Sequence, residues 1–448
     1  MDGSRGTADG ASLDCVRAAT GVGGVSAVGY RTRHARRHAR DCERLIQHPE
    51  TLITWASITL MTGRLARKGA TPSRPRRQPT QELTAPVAPS LSRRGKFRMR
   101  SVGEGSLLRM SSQSVSRDLV VVGAGIVGAS VAYHAAKAGA VVTLLDAGRP
   151  ARGVTVDSFA WIAASIRTGC AAGLRVAATD EYRRLEAELP GLPVTWSGSL
   201  SWRAGESAPE AGPGQEVVDA VTAATLEPNL LQPPDWAVWA PGEGAVDPVG
   251  VTERLIEGAR AHGAQVHPDV PVTAVRRDAA GRVVGTETAA GPLSGATVVL
   301  AAGVATAALA APLDLRVPVD PSPATLFRFR APAGLVRTVV NTQDFDLRQV
   351  ATDRIIAAAD SPEQTLAAIR STFRGAASVE LLSTRVGARP MPADGEPIVG
   401  PVAEVPGLYV AVMHAAVTLA PGVGRLVARE LVDGTVEPAL AGCRLDRF

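Results

Sequence analysis

Gly123, Gly125 and Gly128 follow an apolar run, Leu119 to Val122, in the spacing GxGxxG. That spacing suits phosphate binding. Gly123 makes the tight turn, Gly125 lets backbone approach a pyrophosphate, and Gly128 lets a helix pack close to the strand. Ala124, Ile126 and Val127 fill the intervening positions, so their backbone meets the ligand. The helix read over 129–138 turns its N-terminal N–H groups and the positive end of its dipole toward the phosphates. A second apolar strand, 141–145, leads into Asp146 and Ala147, with the acid about 23 residues after Gly123, where ribose hydroxyls need an acceptor. The glycines alone would also suit a turn in an unrelated α/β unit. Strand, glycines, helix, strand and acid in this order specify a dinucleotide site.

The loop that follows, 147–162, carries Gly, Arg and hydroxyl residues, and Thr155 and Ser158 are its candidate donors to the phosphates or sugar chain of a dinucleotide. An ordinary surface loop would use the same turn chemistry. Beyond it, periodicity predicts helices over 179–189, 247–263, 362–373 and 419–431. Strands are predicted over 194–202, 265–275, 282–288, 297–300, 318–330, 338–340, 354–358 and 407–413. The tryptophans of 194–202 are read as sheet-face residues. The 297–300 strand runs into Ala302 and Gly303 and returns the chain to the nucleotide unit.

Charge divides the 448 residues unevenly: residues 1–109 carry a net charge of roughly +12 and the remainder roughly −7. The basic piece has its arginines in separate clusters among Gly, Ser, Pro and Thr, without sustained apolar periodicity, which points to disorder rather than to a nucleic-acid surface. Its apolar run, 51–61, is too short to span a bilayer and too far along for a secretory signal. Residues 64–109 have a transit-peptide composition, but acidic residues precede them. Residues 1–115 are therefore read as a disordered extension, or as sequence upstream of a true start at Met110 or Met99. No nucleic-acid partner, integral membrane segment or metal is expected. Four cysteines without CxxC or zinc spacing fit a reducing, cytoplasmic setting.

The order of motifs from 117 to 448 resembles the FAD-dependent oxidoreductases of the D-amino acid oxidase group, which includes glycine oxidase, sarcosine oxidase and D-amino acid dehydrogenase. Beyond the glycine turn, the resemblance rests on 158–162, 244–248 and 298–303. Its most specific part is the pair 387–400 and 414–421. It implies an α/β fold: a Rossmann-type FAD-binding domain interleaved with a substrate domain built on a mainly antiparallel sheet. The FAD-binding segments would be 116–190, 244–315 and 385–448, and the substrate-domain segments 191–243 and 316–384.

The resemblance also implies roles. Arg389 would hold the substrate carboxylate, or else pair with an acid such as Asp394. His414 and the backbone of Ala416, Val417, Thr418 and Leu419 would border the flavin ring, although a histidine at such a turn can simply bond backbone. Backbone at Val272 would contact adenine, and Ala302 and Gly303 would line the cofactor. Ala416 replaces a common glycine and Val156 a common small residue. With no cysteine near Arg389 and no histidine after the phosphate loop, FAD would be noncovalent. The implied activity is hydride removal from the α-carbon of an amino acid or N-substituted glycine-type amine, with O₂ or a quinone or other carrier as acceptor. Oxidation of a hydroxy acid, or a redox-silent flavin-binding module, are the alternatives.

Overall fold

Strand β1 (Asp118–Val122) is apolar throughout its last four residues, which are all buried, as a parallel strand covered on both faces requires. A computed structural model describes residues 118–165 and 169–448 of the chain. The expectations for residues 1–115 lie outside the described residues. β1 pairs in parallel with β2 (Val141–Leu145) on one side and with β4 (Thr297–Leu300) on the other. The short strand β3 (Gln265–His267) continues the sheet beyond β2, and β8 (Leu408–Val412) then the antiparallel β7 (Ile398–Pro401) continue it beyond β4. The connections from β1 and β4 thus diverge at their carboxyl ends. A crevice opens at such a switch point.

Helix α1 (Ile126–Lys137) packs between α3 (Pro248–Ala261) and α4 (Ala416–Ala428) on one face of this sheet, and α2 (Ala178–Glu188) packs against α4. Small residues allow the close approach: Ser130 Oγ on α1 donates to the Ala420 carbonyl at 2.7 Å. An antiparallel sheet of Val272–Arg277, Val283–Thr288 and Gly291–Ser294 lies near the other face, sharing a second apolar cluster with the parallel strands.

Pro421 sits inside α4 and has no N–H to give the Val417 carbonyl. The fully buried Tyr182 hydroxyl donates to that carbonyl instead, at 2.7 Å. Tyr182→Phe therefore strands a buried acceptor at the start of α4, and a cost of about 1–3 kcal/mol is expected. Thermal unfolding of the parent and the variant measures it; an unchanged midpoint would mean that water replaces the hydroxyl.

His134 on α1 is the second buried polar group of this face. Its Nδ1 lies 2.8 Å from the Ser130 carbonyl and its Nε2 2.8 Å from Arg184 Nη2. The carbonyl can only accept and the guanidinium only donate, so the neutral tautomer with its proton on Nδ1 fits both. Burial is the main cause that holds its pKa down at about 4. Between pH about 6.5 and about 4 the unfolded chain binds a proton here that the folded chain does not, so stability falls as pH falls through this window. The loss amounts to about 3 kcal/mol at its limit. In urea titrations at pH 7 and pH 4.5, His134→Gln should show a smaller acid loss than the parent.

Among the described residues the second large sheet has eight strands. Its order is β6 (Glu380–Pro392), β5 (Val319–Arg330), Arg354–Ala358, Asp346–Ala351, Val339–Asn341, Ser199–Ser201, Trp236–Ala240 and Glu216–Asp219.

 

All neighbours in this sheet run antiparallel except Val339–Asn341 and Ser199–Ser201, which are parallel. A parallel, dinucleotide-type sheet beside a mainly antiparallel one is the α/β architecture that the sequence led us to expect. Two predicted strands divide. The 265–275 segment turns at Asp269, whose φ of 58° leaves the extended region, so its halves join different sheets. The 194–202 segment breaks at Gly198, where the Trp239 ring occupies the place of a Cβ. The strand Glu380–Pro392 lacks regular apolar alternation because it is a sheet edge, paired on one side, where prolines are tolerated.

Candidate functional site

A cavity of about 560 Å³ opens at the carboxyl ends of β1 and β4, walled by the glycine turn, Asp146, the 152–157 loop, Ala302 and Gly303. Val272 lines it, and so do Ala388, Pro390, Met413 and Ala416. It therefore draws on residues nearly 300 positions apart.

Gly123 has φ 104°, and a Cβ there would stand 2.5 Å from the Ala301 carbonyl oxygen. Only glycine fits. At Gly125 a Cβ would meet only Thr155 Oγ1, at 3.2 Å. The start of α1 carries no acidic residue in its first turn and no side-chain cap at Gly125, which leaves its positive end suited to an anion. Helix α1 begins at Ile126 rather than Ala129, so this end lies directly at the turn. Thr155 Oγ1 accepts the Ile126 N–H at 3.3 Å. Asp146 ties the turn together, with Oδ2 accepting from Ala124 N–H at 2.6 Å and Oδ1 from Gly148 N–H at 2.9 Å. A carboxylate retains further acceptor sites for hydroxyls.

Other expected residues stand behind the wall. Ala124 and Gly128 support the turn from within the packed core, and Ser158 Oγ accepts the Ala160 N–H at 3.1 Å. Thr418 Oγ1 donates to the Trp161 carbonyl at 3.0 Å and accepts from Ala163 N–H at 3.3 Å. Leu419 N–H donates to the Ala415 carbonyl at 3.2 Å, and the Val417 carbonyl is taken by Tyr182. Of the 416–419 segment, Ala416 faces the cavity.

Arg389 stands on the edge strand between the cavity-lining Ala388 and Pro390. Its Nη2 donates to Ser322 Oγ at 2.9 Å and to the Pro323 carbonyl at 3.5 Å, while its buried Nε has no hydrogen-bond partner among the described residues. Burial holds its pKa below the usual guanidinium value. Asp394 does not pair with it, since Arg447 holds that carboxylate at 2.7 and 3.0 Å. His414 follows Met413 at the cavity, and among the described residues its ring makes no hydrogen bond. Burial first, then the Arg389 and Arg175 charges, bring its pKa down to about 4. It is neutral at pH 7.

Three arginines that were not singled out in the sequence brace the cavity loop. Arg348 donates to the Phe159 and Val246 carbonyls at 2.8 and 2.9 Å, and Arg328 to the Val156 carbonyl at 2.9 Å. Arg385 grips Asp157 through two donors. Only the folded chain brings them to the loop, because their partners lie more than 100 residues away.

The comparisons agree with this geometry. The chain is 25% identical over 349 residues to glycine oxidase of Bacillus licheniformis, a match that covers 71% of this chain and 94% of that protein. It is 27% identical over 277 residues to human mitochondrial sarcosine dehydrogenase, covering 55% of this chain and 30% of that one. The crystal structure of glycine oxidase from Geobacillus kaustophilus superposes with a TM-score of 0.66 at 22% identity, over 74% of this chain and 98% of the other, and so shares its fold. The family model described as FAD dependent oxidoreductase, DAO, matches residues 118–430, which take in the strands of both large sheets. On that match, this chain belongs to the DAO family of FAD-dependent oxidoreductases.

Proposed function

We propose that this flavoprotein oxidises the carbon–nitrogen bond of an amino acid or N-substituted glycine-type amine, and that the eight-stranded sheet presents the substrate to a dinucleotide held by the parallel sheet. The observation that carries the reading is Arg389: a half-buried guanidinium beside the cavity, without a carboxylate partner among the described residues. A planar, permanently charged fork of this kind suits the carboxylate of an incoming acid. The named activities of glycine oxidase and sarcosine dehydrogenase concern small acids of that class.

The cofactor-holding residues fit the group. The α1 terminus and Gly125 would receive its pyrophosphate, Asp146 its ribose hydroxyls, Val272 its adenine, and Ala302, Gly303 and Ala416 its remaining length. FAD, when bound, supplies the hydride acceptor for the α-carbon. The chain's own part is to align the acid through Arg389 and to keep water from the reacting carbon. His414, neutral at pH 7, adds no competing positive charge. The amine must reach the site unprotonated, because an ammonium lacks the electron pair that drives hydride departure. The imine product then hydrolyses in water.

Noncovalent FAD and a cytoplasmic setting complete the reading. Cys170 and Cys443 carry free thiols, and among the described residues no helix is long and apolar enough to cross a membrane. The test is anaerobic bleaching of the flavin by D-amino acids, glycine, sarcosine, proline and hydroxy acids. Bleaching by amine-bearing acids supports the reading; bleaching by hydroxy acids alone, or by nothing in the panel, overturns it. Reoxidation of the bleached protein by O₂ or by a quinone then identifies the acceptor.

A further inference from the structure

Asp146, Arg152 and Asp157 are the charged residues that line the cavity, so among the described residues Arg152 is the one cation of its wall. Both acids are already engaged. Asp146 accepts from the Ala124 and Gly148 N–H groups, and Asp157 is gripped by Arg385. Arg152 is exposed, and its guanidinium makes no hydrogen bond or ion pair with any described residue. The backbone next to it is held in an unusual state: Ala151, buried, takes φ 62°, a left-handed conformation rare for a residue with a Cβ. Such backbone persists only where the surrounding structure holds it. Here the Ala151 N–H donates to the Ala124 carbonyl at 3.0 Å, which ties the loop to the glycine turn one residue before Arg152. Ser158, the expected hydroxyl donor of this loop, is bonded to the Ala160 N–H and does not line the cavity.

Charge shows what Arg152 is for. A pyrophosphate is a dianion, and the N-terminus of α1 offers it the equivalent of roughly half a positive charge. Asp146 places a carboxylate on the same wall. Without a further cation the phosphates would rest against net negative charge. We propose that Arg152 is the counter-ion of the cofactor's pyrophosphate, its guanidinium donating to phosphate oxygens that the glycine turn and α1 meet with backbone N–H groups. A planar, permanently charged fork suits a phosphate. The assignment rests on FAD as the cofactor and on the pyrophosphate placement above, not on the amine-oxidation reading.

The experiment follows FAD leaving the holoenzyme. Parent, Arg152→Met and Arg152→Lys are diluted, and the fluorescence of the released FAD gives each dissociation constant. Arg152→Met should bind FAD about tenfold more weakly, the lower end of what a charge-assisted hydrogen bond contributes, because the guanidinium is exposed. Arg152→Lys should recover part of the loss, since it keeps the charge without the fork. Added salt should weaken FAD binding more in the parent than in Arg152→Met, which lacks the screened contact. ADP and adenosine, as competitors of FAD, separate the phosphates from the adenine. ADP should lose about tenfold in Arg152→Met while adenosine stays within about twofold. A thermal melt of the FAD-free proteins should differ by no more than about 1–2 °C, as for other exposed substitutions. Unchanged FAD affinity in Arg152→Met, the same salt dependence as the parent, or equal losses for ADP and adenosine would overturn the proposal. Bleaching by the substrate panel plays no part in these readouts, so the amine reading can fail while this result stands.

Discussion

Replacing Arg389 with methionine is expected to weaken binding of the acid substrate by about 10- to 150-fold while FAD content stays unchanged. The scale is that of hydrogen bonds to a charged group, about 1.5–3 kcal/mol in all. The free protein should lose little stability, because Arg389 donates to Ser322 Oγ at 2.9 Å and to the Pro323 carbonyl only at 3.5 Å, and its buried Nε has no partner among the described residues. Arg389→Lys should recover part of the affinity, since an ammonium keeps the charge but cannot offer two parallel donors. An amine without a carboxylate should bind parent and variant alike. Titration of flavin absorbance with both ligands, together with a thermal melt of each protein, separates these effects. Equal weakening of the acid and the carboxylate-free amine, or a large drop in melting temperature, would mark Arg389 as structural.

Gly125→Ala is expected to keep the fold and lose cofactor affinity, the reverse of what most changes to a glycine turn do. The backbone at Gly125, with φ −72°, is open to any residue, and the added Cβ would touch only Thr155 Oγ1, at 3.2 Å. The same methyl would project where a pyrophosphate must approach. Overpacking costs about 1–3 kcal/mol, which converts to roughly 5- to 150-fold in FAD affinity. Gly128→Ala gives the contrast: its Cβ would stand 1.8 Å from the Gly123 carbonyl oxygen, so the helix and the turn must separate. Fluorescence titration of flavin-free protein with FAD, beside thermal melts, distinguishes the two. A Gly125→Ala protein that binds FAD as tightly as the parent would place the phosphates elsewhere.

The glycine turn was legible in the sequence because its causes are local. A buried run, a residue that must take φ 104° and a helix start all lie within about a dozen consecutive positions. The α/β class was legible for the same reason, through the alternation of strand and helix periods. Strand boundaries were less so. The break at Gly198 depends on the Trp239 ring, and the edge strand Glu380–Pro392 shows little alternation because one side of it has no neighbour among the described residues.

The environment of the charged residues was decided by tertiary structure. Asp394 is five residues from Arg389, yet it pairs with Arg447, 53 residues away. The Val417 carbonyl, freed by Pro421, finds Tyr182 at a separation of 235 residues. Local sequence governs backbone geometry, because φ, ψ and side-chain period act between near neighbours. Whether a charge is paired, buried or free depends on chain segments that only folding brings within a few ångströms.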